Sequence, residues 1–189
     1  MRRSLNEIET GFKKAAIGVG WPQGAAEDIG RAAAIYCGCG NAGLSPLLNA
    51  MQQKRIVSVM MENRVARCSG GALIANATIA FDLVGAGRVE QAIFAWLENP
   101  EFLRALSLVA GTDQGCGFQI EAIQTNDSSA PPEFVIRRVH EIEQPELADG
   151  VDINEEEWAE IAKLVAKTFV PSSDGSRLLG AGAGVTDND

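Results

Sequence analysis

The sequence predicts an α+β fold: an N-terminal helical layer packed on a mixed or antiparallel sheet, closed by a C-terminal helix and an ordered glycine-rich tail. Three observations carry this. Capping-box patterns open apolar stripes of helical period near both ends, at Ser4-Leu5-Asn6-Glu7 and Asn154-Glu155-Glu156-Glu157. β-Branched residues and glycine turns concentrate between about residues 55 and 142. A chain of 189 residues that is 46% hydrophobic is long enough to bury a substantial core. The expected division is a single α+β domain over residues 1–171, with a helical part to residue 54 and a sheet-containing part from residue 55. A glycine-rich tail follows over 172–189.

In order along the chain, Ser4 starts a helix over Leu5 to Ile17, because its hydroxyl and the Glu7 carboxylate can satisfy each other's orphan amides. Leu5, Ile8, Phe12 and Ala15 or Ala16 make its apolar face. Gly18-Val19-Gly20-Trp21-Pro22 ends it. Its glycines superficially suggest a dinucleotide loop, but that fingerprint needs a preceding strand, and a helix precedes here. A helix–helix corner is expected instead. The second helix, Gln23 to Cys37, carries Ala25, Ala26, Ala32, Ala33 and Ala34 with Gly24 and Gly30, small residues that let another backbone come close. A third begins at Ser45, with Pro46 in its first turn, and runs to Gln53.

From Arg55 onward Val57, Val59, Val65, Ile74, Ile79, Val84 and Val89 favour strands, and the apolar run Ala72 to Val84 is read as one of them. Turns are expected at Ser69-Gly70-Gly71 and Gly85-Ala86-Gly87. Pro100 starts a helix through Ala110 that Gly111 can terminate. Strands follow over Gly117 to Gln124 and Phe134 to Ile142. The second has Pro132 and Pro145 on its flanks, which suggests a sheet edge. In the last helix Trp158, Ile161, Ala162, Val165 and Phe169 form one stripe, closed by Pro171.

The net charge of −9 argues against nucleic acid, whose binding needs clustered Lys and Arg. No window approaches the roughly 18 apolar residues of a membrane span. No secretory signal is visible after Met1-Arg2-Arg3, so a cytoplasmic protein is expected. Its four cysteines should then be reduced. Cys37-Gly38-Cys39 has the wrong spacing for zinc and no answering pair downstream, so no metal site is predicted.

The catalytic candidates are His140, Cys116 and Cys68. His140 is the only histidine, hence the only side chain whose ordinary pKa suits proton transfer near neutrality; the plainer reading is a surface histidine among charges. Cys116, between glycines, and Cys68, before Ser69-Gly70-Gly71, would do acid and base work only if they faced each other; otherwise they are buried thiols. For ligand binding the candidates are Arg137 and Arg138 beside His140, together with Arg177 and the bare backbone amides of Gly180, Gly182 and Gly184, which can form an anion nest. Leu178, Leu179 and Val185 would anchor such a tail.

The leading expectation is a small-molecule binding protein or enzyme with its cleft where the tail meets the Arg137–His140 strand. The alternative is a non-catalytic interaction subunit or homodimer whose tail docks on a neighbour. Neither a reaction nor a cofactor is specified by these residues.

The motifs Ser4-Leu5-Asn6-Glu7-Ile8-Glu9, Lys14-Ala15-Ala16, Gly20-Trp21-Pro22-Gln23-Gly24-Ala25-Ala26-Glu27 and Gly30 at one end, with Val170-Pro171-Ser172 and the Gly180 to Asp189 terminus at the other, resemble a bacterial family catalogued only as a domain of unknown function. The resemblance spans the whole chain, strongest at both ends. It brings no activity, cofactor or site residue with it.

Overall fold

The computed structural model describes residues 1–168 except 42, 54–55, 71, 96 and 125–128. Strand β1 (Arg2–Ser4) leads into helices α1 (Leu5–Gly18), α2 (Gln23–Gly38) and α3 (Ser45–Gln52). Then come β2 (Val59–Glu62), β3 (Val65–Cys68), α4 (Leu73–Gly85), β4 (Gln91–Phe94), α5 (Pro100–Gln114), β5 (Gly117–Ile123), β6 (Glu133–Val139), β7 (Gly150–Asp152) and α6 (Glu155–Ala166). The class is α+β, with a mixed sheet. Among the described residues no helix is long and apolar enough to cross a membrane.

The first capping box forms as read: the Glu7 amide donates to the Ser4 hydroxyl at 3.2 Å and the Ser4 amide to the Glu7 carboxylate at 2.9 Å. Beyond the corner, the Trp21 indole N–H donates to the Met51 carbonyl at 2.9 Å, tying α3 to the α1–α2 pair. Gly30 is what lets α2 lie against α1, since a Cβ there would stand 2.6 Å from the Glu9 carbonyl oxygen.

The second capping box forms only by half. Asn154 accepts the Glu156 amide at 2.8 Å, but the Glu157 carboxylate turns away to accept the Ser45 amide at 3.0 Å and the Ser45 hydroxyl at 2.7 Å. The N-cap of α3 is Leu44, which has no oxygen to offer, so a carboxylate from α6 supplies one.

The main sheet has the strand order β2-β3-β4-β6-β5. Only β3 and β4 are parallel, joined through α4 in a βαβ unit; the other neighbours are antiparallel. A separate antiparallel pair, β1 with β7, ties the first residues to the approach to α6. Phe12, Ile29, Phe81, Phe102, Leu103 and Ile136 are fully buried in one core between the helices and one face of the sheet.

Three expectations are corrected. The run Ala72 to Val84 is not a strand but α4: its alanines favour helix, and a helix buried on several sides shows the same unbroken apolar run as a buried strand. β6 is not an edge. It lies between β4 and β5, because Pro132 and Pro145 fall outside the ladder and remove none of its donors. Gly111 does not end α5. The helix runs to Gln114 and is capped by Gly115 at φ +65°, and Gly111 instead admits the Cys116 carbonyl, which a Cβ would meet at 2.6 Å.

Candidate functional site

Arg137 and Arg138 do not converge. They alternate across β6, so they project from opposite faces of the sheet. Arg137 donates to Gln91 Oε1 at 3.1 Å and to Glu121 Oε2 at 2.8 Å. Arg138 lies on the helix side and donates to the Gly85 carbonyl at 3.0 Å, satisfying an orphan acceptor at the end of α4. His140 is exposed just past the strand. A cavity of about 660 Å³ does open nearby, between α5, the start of β5 and the segment after β6. Val139 and Glu141 line it, but neither arginine nor His140 is among its walls. Arg177, Gly180, Gly182 and Gly184 lie outside the described residues, as does every expectation placed on the tail.

Cys68 and Cys116 do not face each other. Across the sheet Cys68 aligns with Phe94, Phe134 and Ala122 in turn, six residues along β5 from Cys116. Three strand spacings and six residues of rise put them about 20 Å or more apart. Both are buried, and burial pushes the Cys68 thiol up to about 12, as it does Cys37. Cys39 is the one exposed cysteine. Among the described residues no group of His, Cys, Asp or Glu is arranged to hold a metal ion.

What the sheet does assemble lies at the C-terminal ends of β3 and β4. There a cavity of about 320 Å³ is bounded by Pro46, Ala50 and Gln53 of the α3 region, the Cys68-Ser69-Gly70 loop, the start of α4, and the β4–α5 connection at Ala95 and Leu97–Asn99. Its walls follow from the topology. Two parallel strands end side by side, and the helices that follow them, α4 and α5, begin at the same level.

Two asparagines hold this frame. Asn76 is 2% exposed; its Oδ1 accepts the Ser58 amide at 2.9 Å and its Nδ2 donates to the Gly70 carbonyl at 2.6 Å. It thereby pins the loop after β3 to the chain entering β2. Asn99 caps α5 by accepting the Phe102 amide at 3.1 Å. Its buried Nδ2 makes no hydrogen bond among the described residues and has the Tyr36 hydroxyl as a polar neighbour. Burial raises the Tyr36 hydroxyl, and Asn99 partly opposes that. At α4 the N-cap is Ala72, without a capping oxygen, and Gln53 Oε1 accepts the Leu73 amide at 3.3 Å instead.

Residues 3–72 match the family described as "Protein of unknown function (DUF3726)". The similarity to DUF3726 covers the chain from β1 through β3 and the loop before α4. It agrees with the resemblance read from the N-terminal motifs and does not extend over the whole chain. The DUF3726 match includes Gln53, Cys68, Ser69 and Gly70 of the cavity and stops short of Asn76 and Glu98. No curated protein and no solved structure matches the chain.

Sequence reasoning missed Asn76, Gln53, Glu98 and Asn99. The available signal was the pairing of Ser69-Gly70-Gly71 with the apolar run behind it. Read as strand, loop and helix rather than strand, turn and strand, it marks the C-terminal end of the first strand of a βαβ unit and points to the neighbouring strand end.

Proposed function

We propose that this protein binds a compact polar molecule in the cavity at the C-terminal ends of β3 and β4. The observation that carries this reading is the coincidence of a 320 Å³ cavity with the ends of the two parallel strands and the starts of α4 and α5. Open sheets with parallel strands take ligands at this edge, because helix N-termini bring partial positive charge and unsatisfied amides there. The volume falls at the small end of ligand cavities.

Leu73, Phe94 and Leu97 offer an apolar wall, while Ser69, Gln53 and Glu98 offer polar contacts. A metabolite with a short apolar part and an amino or hydroxyl group to donate to the Glu98 carboxylate suits that lining. Cys68 is a neutral thiol at pH 7, which favours binding over thiolate chemistry. A net charge of −9 supports a small-molecule partner over nucleic acid. Four free cysteines support a reducing, cytoplasmic setting.

The test is a thermal-shift screen of metabolites on the full chain, repeated on Ala95→Trp, on Arg137→Ala and on a truncation after Arg177. Ligand at a hundredfold excess over Kd stabilises the native state by about 2.7 kcal/mol. A shift lost in Ala95→Trp and kept in the other two supports the cavity. A shift lost on truncation or in Arg137→Ala, and kept in Ala95→Trp, would return the site to the tail and β6.

A further inference from the structure

Among the described residues two buried side-chain nitrogens have no hydrogen-bond partner, Arg3 Nε and Asn99 Nδ2. Arg3 is otherwise engaged: its Nη1 donates to Glu7 Oε1 at 2.9 Å, and its guanidinium carbon lies 4.7 Å from the centre of the Trp158 ring. Asn99 has no such account. It is 8% exposed, it forms part of the wall of the cavity at the ends of β3 and β4, and its Oδ1 is committed to the Phe102 amide. A carboxamide nitrogen carries two hydrogens, and the Tyr36 hydroxyl beside it takes one at most. A buried donor left open is costly, so native proteins pair nearly all of them. An acceptor entering the cavity would remove that cost.

The rest of the wall says what carries the acceptor. Glu98, the preceding residue, is the one charged side chain among the described walls. An anion alone would meet that carboxylate with no cation in the wall to offset it. A simple amine would satisfy Glu98 and leave Asn99 Nδ2 open. A molecule with both groups answers both residues, and a pair supplied by consecutive positions suits an ammonium and a carboxylate on one carbon. On the other side α4 begins at Ala72 without a capping oxygen, so its positive end also favours the negative group. Leu73, Phe94 and Leu97 then accommodate a short hydrocarbon side chain.

We propose that the ligand of this cavity is an α-amino acid with a short aliphatic side chain, its ammonium on the Glu98 carboxylate and a carboxylate oxygen accepting from Asn99 Nδ2. The proposal rests on the reading of the cavity as the binding site and adds the class of molecule that fills it.

Titration calorimetry of the full chain tests this with three compounds: L-valine, isobutylamine, which is valine without its carboxylate, and 3-methylbutanoate, which is valine without its ammonium. The native chain is compared with Asn99→Asp, Glu98→Gln and Ala95→Trp. Asn99→Asp keeps a capping oxygen for the Phe102 amide and removes the donor. Valine should bind saturably, and each truncated compound at least about tenfold more weakly, the loss expected for a hydrogen bond to a charged group. Asn99→Asp should weaken valine by a similar factor without weakening isobutylamine. Glu98→Gln should weaken both, and Ala95→Trp should abolish all binding. Isobutylamine binding as tightly as valine, with both lost in Ala95→Trp, would overturn the role of Asn99 and leave the cavity as the site. Saturable binding by none of the three overturns the ligand class, while the metabolite screen judges the cavity separately. Valine binding that persists in Ala95→Trp would overturn both. Should Asn99→Asp not fold, the ranking of the three compounds on the native chain decides.

Discussion

Asn76→Ala is the substitution that bears most sharply on the frame of the cavity. The side chain is 2% exposed and makes two hydrogen bonds, from the Ser58 amide at 2.9 Å and to the Gly70 carbonyl at 2.6 Å. Each such bond contributes about 1 kcal/mol net, and a donor left buried without a partner costs about 1–3 kcal/mol. Gly70 is exposed, so its carbonyl regains water; Ser58 is half-buried, so its amide recovers only part of what it loses. Together these come to about 2–4 kcal/mol. Alanine is the better helix former by up to about 0.7 kcal/mol, which leaves a net loss of about 1.3–4 kcal/mol. For a chain of this size that lowers Tm by about 3–16 °C. Urea unfolding gives the free energy and calorimetry the Tm, with Thr78→Ala on the same helix as a control for surface effects. Amide exchange should also accelerate at Ser58 and Ser69, because the loop loses its tie. A loss below about 0.5 kcal/mol with unchanged exchange would refute the role given to Asn76.

Gly30→Ala and Gly24→Ala should have opposite signs although both are glycine-to-alanine changes in α2. A Cβ at Gly30 meets the Glu9 carbonyl at 2.6 Å, and such overpacking costs about 1–3 kcal/mol against a helical gain of about 1 kcal/mol; a Cβ at Gly24 meets nothing within 4 Å and should stabilise by about 0.4–1 kcal/mol. Equal effects in urea titrations would contradict the close approach of α1 and α2. Under native conditions at pH 8 a thiol reagent should modify one cysteine per chain rapidly, Cys39, since the other three are buried; a second fast equivalent, mapped by mass spectrometry, would count against the packing at Cys37, Cys68 or Cys116. Burial acts to raise Glu157, but hydrogen bonds from the Ser45 hydroxyl and the amides of Leu44 and Ser45 outweigh it, so its folded pKa lies below the ordinary value of 4.5. A group depressed on folding stabilises above its unfolded pKa and loses that contribution as pH falls through the folded one. Stability measured downward from pH 6 should fall below about pH 4.5, and Glu157→Gln should flatten part of that fall; an identical profile in the variant would remove Glu157 from the account of α3.

The helices with local signals were legible in the sequence. Ser4 and Glu7 sit three residues apart and cap one another, and the α1 stripe of Ile8, Phe12 and Ala16 is written at helical spacing. What escaped depended on partners distant in the chain. Glu157 could be assigned to its own helix from spacing alone, yet Ser45, 112 residues away, takes it. The interior place of β6 depends on β4: Gln91 and Arg137, neighbours in the ladder, are 46 residues apart. α4 failed for a different reason, since an apolar run buried on several sides carries no period to separate helix from strand. With α4 misread, the βαβ unit disappeared, and with it the edge at which Ser69, Asn76 and Glu98 meet. The opposite projection of Arg137 and Arg138, by contrast, was already implicit in strand alternation.

The most direct test of a binding site at the ends of β3 and β4 is a chemical-shift map of backbone amides, recorded while titrating the full chain with a compound that raises its melting temperature. The largest saturable shifts are expected at Ser69, Gly70, Leu73 and Leu97 through Asn99. Shifts concentrated instead at Gly117, Val139 and Glu141 of the larger cavity, or at Thr10, Lys14 and Trp158 in the groove between α1 and α6, would contradict it.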